Sequence, residues 1–198
     1  ILTSNQILNM NDIIIKLQKL LEAQDNANAA KFLASLPLET VARSQEFTAV
    51  CELALKLRAF PWVLECVQFI SHQPGTDVQT LRFCAEACVA SDCLETLLKV
   101  APKVFTTSPD DPLVCRLIAS MFLGKENYQE TAGWLARALK QEPDHLPSLE
   151  VLAECFEHCG ETEAKDYALE RIRNIQKGGL NPSVAVASAN SEKEPTTS

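Results

Sequence analysis

Apolar residues recur along this chain at helical spacing, in paired runs separated by short polar turns. The segment from Pro112 to Asp144 shows the pattern most clearly. In its first run Cys115, Ile118, Ala119 and Phe122 fall at i, i+3, i+4 and i+7, one face of an α-helix. Gly124 to Asn127 carries turn chemistry. Ala132, Leu135, Ala138 and Leu139 then restore the helical spacing. Pro143 cannot continue that helix, because it lacks an N–H and its ring clashes with the preceding turn. Two helices joined by so short a turn lie antiparallel, so the segment reads as a helix–turn–helix hairpin.

The hairpin repeats. With Pro112 as position one, a constant step starts units near Met10, Ser44, Val78, Pro112 and Leu146, with no insertion between them. Position four reads Ile13, Phe47, Leu81, Cys115, Leu149, and position eight reads Leu17, Cys51, Ala85, Ala119, Ala153. Position eleven reads Leu20, Ala54, Cys88, Phe122, Phe156. In the second helix, position twenty-four reads Leu33, Val67, Ala101, Leu135, Leu169, and position twenty-seven Leu36, Ile70, Val104, Ala138, Ile172. Every one is apolar. The small residues at position eight, in every unit but the first, let two helix backbones approach. That is the packing logic of stacked hairpins that cannot bury an apolar face alone. An irregular helical bundle whose helices happen to match in length is the alternative.

Breaks in the pattern give further expectations. Asn11 or Asp12 caps the first helix, Pro37 ends the second, and the next helix runs from about Ser44 to Leu57. Thr76 or Asp77 caps the third hairpin. Pro102 falls inside its second helix and is expected to shorten or kink it. The segment that follows, Thr106 to Pro112, is the most loop-like inside the domain and marks an irregular third unit around 102–109 or a break between subdomains. The last helix spans about 161–177. Residues 178–198 are small and polar, and read as a disordered tail or linker. Trp62 and Trp134 are expected to pack in the core.

The repeat resembles the tetratricopeptide repeat (TPR). The unit from Pro112 carries Ile118–Ala119, Phe122, Tyr128, Ala138–Leu139 and Pro143 at matching places. The unit from Leu146 carries Leu152–Ala153, Phe156 and Gly160, and its Ala164 sits one place early, as if one residue were lost. The resemblance covers roughly residues 10 to 177. It implies an all-α domain over 1–177: about ten helices in antiparallel hairpins, stacked as a TPR-like α-solenoid.

Net charge is −8 with a pI near 4.9, which argues against nucleic acid and against an anionic membrane surface as main partners. A basic peptide partner, or simple solubility, fits better. No apolar run approaches a membrane span, so membrane insertion is not expected. No basic region followed by a clean apolar core opens the chain, so no signal peptide is expected. With Ile1 first, a cut or processed chain is the expectation. Eight cysteines, all in or at the ends of expected helices, read as small hydrophobes in a reducing compartment, the cytoplasm.

Candidate chemistry is sparse. Cys155, His158 and Cys159 share one helix, as do Cys84 and Cys88, but no CxxC knuckle completes a zinc set. His72, His145 and His158 accompany no nucleophile motif, P-loop or glycine fingerprint. No catalytic residue, metal or cofactor is expected, and the chain is not expected to be an enzyme.

The resemblance points instead to the concave face, where positions two, five, nine, twelve and thirteen line a groove. Arg116, Ser120 and Leu123 fall there, as do Glu150, Glu154 and Glu157. The third unit adds Gln79, Arg82, Glu86 and Val89, and the second adds Thr48, Glu52 and Leu55. The Lys and Asn that some members use to grip a peptide carboxylate are not at these places. The implied function is non-catalytic protein–protein interaction: an adaptor, scaffold or chaperone holding a peptide or partner helix. A self-assembling homo-oligomeric subunit and a regulatory or docking domain of a larger enzyme are the alternatives.

Overall fold

The computed structural model describes residues 9–178, and all secondary structure among them is helical. Five hairpins follow in order. The first is α1 (Met10–Glu22) with α2 (Asn26–Ala34). A short α3 (Leu38–Ala42) precedes the second, α4 (Phe47–Lys56) with α5 (Phe60–His72). Then come α6 (Val78–Ala90) with α7 (Leu94–Thr107), α8 (Pro112–Leu123) with α9 (Tyr128–Gln141), and α10 (Leu146–Cys159) with α11 (Thr162–Gln176). Each first helix from α1 to α6 packs on the next first helix, and each second helix from α5 onward packs on the first helix that follows it. This is a stack of antiparallel hairpins, an α-solenoid.

The turn inside each hairpin is the same object five times. Gln24, Arg58, Asp92, Glu126 and Gly160 hold positive φ, at 52°, 57°, 51°, 56° and 74°, and each lies one repeat unit from the next. The following N–H donates to a carbonyl five residues back: Asp25 to Leu20, Ala59 to Ala54, Cys93 to Cys88, Asn127 to Phe122, Glu161 to Phe156, all at 2.8–3.0 Å. That bond and the shorter one beside it close a helix C-terminus on a left-handed residue and satisfy its last carbonyls. In two hairpins the residue that makes the bond then caps the second helix through its side chain: Asp25 accepts from the N–H of Asn28, and Asn127 from that of Glu130.

Positions four and eight are buried in all five units. The core has two parts: one extends from Ile13 to Met121, the other from Ala119 to Ile172. Trp134 packs against both, and α8 contributes to both. Trp62 is 8% exposed, whereas Trp134 is half-buried and stacks on Phe105 at 6.3 Å.

Several local expectations change. Eleven helices form among the described residues, because the chain after Pro37 winds into α3, burying Val41 and Ala42. That delays α4 to Phe47. Asn9, not Asn11 or Asp12, caps α1. Pro102 does not shorten α7, which runs through it for 14 residues. Pro102 is exposed and Leu98 is 39% exposed, so the proline ring and the residue whose carbonyl loses its intrahelical donor lie on the outer side of α7. The last unit loses no residue: α11 begins at the same position of its unit as α9, and Gly160 keeps the step of the earlier turns. The expected tail lies outside the described residues beyond Gly178.

Four of the five left-handed residues carry a Cβ, which costs roughly 1–2 kcal/mol each in that conformation. Glu126→Gly should therefore raise stability by about 0.5–1 kcal/mol, after the entropy glycine loses. Gly160→Ala should lower it by about 1 kcal/mol. Urea unfolding followed by circular dichroism measures both, and opposite signs would refute the turn assignment.

Candidate functional site

On an α-helix, residues i, i+4 and i+7 share a face. The first helices thus align Thr48, Glu52 and Leu55 on α4; Arg82, Glu86 and Val89 on α6; Arg116, Ser120 and Leu123 on α8; and Glu150, Glu154 and Glu157 on α10. Thr48, Arg82, Arg116 and Leu123 are half-buried, while Glu52, Gln79, Glu86, Ser120, Glu150, Glu154 and Glu157 are exposed.

The structure brings three of these side chains to one cleft. Arg116, Ser120 and Leu123 face Pro147 and Val151 of α10 across an apolar space of about 170 Å³, also lined by Ala119 and Leu135. The cleft exists because α10 packs chiefly on α9 and α11, leaving its first turns apart from α8. The small Ala119 keeps the space open. At its edge His145 fixes the start of α10: its Nδ1 accepts from the Ser148 N–H at 3.2 Å and lies 2.8 Å from the Ser148 hydroxyl. Glu150, Glu154 and Glu157 stand beside the cleft without lining it. Thr48, Glu52, Gln79, Arg82 and Glu86 lie on earlier helices and do not line it either.

Three of the candidate groove residues pair with charged side chains of the chain itself. Arg82 donates from Nε at 2.9 Å to Asp111, whose side chain is fully buried. Asp111 also caps α8, accepting from the Val114 N–H at 3.2 Å. Burial acts to raise the Asp111 pKa, but the hydrogen bonds from Arg82, Val114 and Ser108 outweigh it and hold the carboxyl below its ordinary value. Arg116, at the equivalent place in the next unit, donates to Glu142. Glu157 pairs with Lys165 at 2.8 Å.

A second arginine pair follows the same step. Arg137 donates to Asp110 at 2.8 Å and lies over the Phe105 and Trp134 rings; Arg171 reaches the Pro143 carbonyl and lies 3.9 Å from Asp144. The stretch that reads as a loop is therefore held from two sides, by Arg82 on Asp111 and by Arg137 on Asp110. The signal was present in the sequence: Arg82 and Arg116, Asp110 and Asp144, and Arg137 and Arg171 are pairs separated by one full repeat.

The cysteines are free, and six of the eight are buried. Burial pushes Cys84 and Cys88 up to about 12, and Cys115 and Cys155 up to about 11. Cys51 is raised by its hydrogen bond with Cys66 and by burial. Such thiols stay protonated at neutral pH and are weak nucleophiles. Among the described residues, no group of three or more His, Cys, Asp or Glu side chains is placed to hold a metal ion.

The class defined by this fold is the all-α, TPR-like α-solenoid. A solved structure described as "Crystal structure of MamA protein" shares it, with TM-score 0.56 and 13% identity over 87% of this chain and 89% of that one. A second, "MamA MSR-1 C2", gives TM-score 0.51 and 12% identity over 83% of this chain and 93% of that one. At that identity the likeness is one of fold. No protein-family model matches the chain, and no curated protein matches it in sequence.

Arg82→Ala leaves a buried carboxylate without its cation and should cost about 2–3 kcal/mol. Because the Asp111 pKa is lowered on folding, its contribution is present above the unfolded value of about 4 and disappears as pH falls through the native one. The stability difference between wild type and Asp111→Asn should therefore shrink below about pH 4. Urea unfolding across pH tests this, and a gap that widens on acidification would contradict it. A thiol reagent should label exposed Cys159 first and half-buried Cys93 more slowly, with the other six reacting only on unfolding.

Proposed function

We propose that the chain is a non-catalytic protein-interaction module of divergent tetratricopeptide type, an adaptor or scaffold that holds a partner segment on the face formed by its first helices. The observation that carries this reading is the cleft between α8 and α10. It is apolar and open, its size is close to the ~150 Å³ that admits a benzene ring, and repeat positions five, nine and twelve of the fourth unit line it. A preformed apolar pocket on a rigid helical surface suits an anchor side chain from a partner. The buried, protonated thiols fit a reducing compartment, so we place the protein in the cytoplasm.

Affinity capture from native lysate tests the reading with three baits. These are wild type, Ser120→Trp to fill the cleft from an exposed position, and Glu65→Lys, at an exposed position of α5, as a control. A partner kept by wild type and Glu65→Lys, and lost by a Ser120→Trp protein with unchanged circular dichroism, is the expected result. Retention of the same partners by Ser120→Trp would sink the groove reading. Recovery of the bait alone would favour self-assembly.

A further inference from the structure

The junctions inside the stack follow one register, and that register extends to its two ends. On α9, Thr131 faces its partner helix α8, with the hydroxyl 3.5 Å from the Ala119 carbonyl. The neighbouring stripe of α9, Ala132, Leu135 and Leu139, is buried in one cluster with Leu152 and Cys155 of α10. Leu135 also shares a cleft wall with the buried Ser148. Positions twenty-one, twenty-four and twenty-eight of one unit thus meet positions three, seven and ten of the next. Only Glu142 to His145 separate the two helices, so they run antiparallel. Leu139 therefore lies at the same end of the junction as Ser148, and Ala132 at the same end as Cys155.

At the outer helices these positions are charged. The last second helix, α11, carries Asp166, Leu169 and Arg173 at positions twenty-one, twenty-four and twenty-eight. The first helix, α1, carries Asp12, Lys16 and Lys19 at positions three, seven and ten. In the later units position seven is Val50, Cys84, Ile118 and Leu152, all buried. The five charged side chains are exposed, and none takes part in a salt bridge among the described residues. Ile15 is 48% exposed, at the position from which Phe83 packs edge-on against Phe47 of the preceding hairpin.

A polar end face alone keeps a stack soluble. The order of the signs goes further. Laid in the internal register, a second copy sets Arg173 beside Asp12 and Asp166 beside Lys19. Leu169 then meets the aliphatic stem of Lys16, whose ammonium is drawn over the Phe32 ring at 3.8 Å. Opposite charges meet at both places. In the reversed order Arg173 would meet Lys19 and Asp166 would meet Asp12, so the charges that attract in one direction repel in the other. The contact joins two unlike surfaces and leaves one of each free, so it propagates.

We propose that copies of this chain associate head to tail, the α11 face of one on the α1 face of the next, through the pairs Arg173–Asp12 and Asp166–Lys19. The cleft between α8 and α10 takes no part in this contact, so the groove reading stands or falls separately. Exposed ion pairs contribute little each, so the association is weak and salt-sensitive.

Analytical ultracentrifugation of the whole chain tests the proposal. At about 20 mM salt the weight-average mass should rise from the 21.8 kDa monomer past twice that value between roughly 10 μM and 1 mM. The association constant should fall at least about threefold at roughly 500 mM salt. Two charge-reversed variants with unchanged circular dichroism complete the test: Asp166→Lys/Arg173→Glu on α11, and Asp12→Lys/Lys19→Glu on α1. Each alone sets like charges face to face and should stay monomeric. Mixed in equal amounts they should associate as wild type does, because the two altered faces are complementary to each other and the two unaltered faces also match. A wild type that stays monomeric to 1 mM overturns the inference. So does a mass that levels off at the dimer. Wild-type association by either variant alone, as symmetric pairing of like faces would give, overturns it too, as does a mixture that fails to associate.

Discussion

A left-handed residue at one fixed position of every unit, from Gln24 to Gly160, determines where each hairpin reverses. Once that residue is set, the hydrogen bond that follows it closes the first helix, and the second begins within two residues. Helix lengths, and hence the register in which positions four and eight meet their neighbours, depend on that reversal. A shift of one residue would rotate the apolar stripe by about 100° and expose it. The uniform turn is thus the condition under which five separate hairpins can share a continuous core.

A second set of contacts orients one hairpin on the next. Asp110 and Asp111 are held by arginines from the third and fourth units, and Arg116 and Arg171 reach the residues just ahead of α10. The α7–α8 linker is short and rich in proline and aspartate, and would be mobile if solvated. Held by the two arginines, with Asp111 buried, it joins the first core cluster to the second through α8. With these arginines engaged at the joint, Glu86 on α6 and Glu154 on α10 stand exposed and outside any salt bridge among the described residues.

The hairpins and their apolar register were legible because hydrophobic periodicity is written directly in residue type. The turns were only half legible. Gly160 announces itself, but Gln24, Arg58, Asp92 and Glu126 occupy the same conformation with no glycine to mark it, since the surrounding bonds impose it. The arginine pairs were missed for another reason. Their partners lie 26 to 29 residues apart, beyond any local pattern, and only the recurrence of the same letters from unit to unit exposes them. Pro102 misled because a proline's cost depends on whether the orphaned carbonyl is wet, which sequence does not say. The candidate groove residues were placed by position in the repeat. That located the cleft-lining trio on α8 but could not foresee that Arg82 and Arg116 would be engaged internally.

The Arg82–Asp111 pair also bears on how such a protein can change over generations. Losing the arginine strands a buried anion, and losing the aspartate uncaps α8 while freeing a cation next to Glu86. Either single step is penalised, so the two residues are inherited as a unit. Exposed Glu86, one turn from Arg82, carries no such tie. Lineages can therefore retune the charge they show to a partner one codon at a time, while the joint beneath it stays locked.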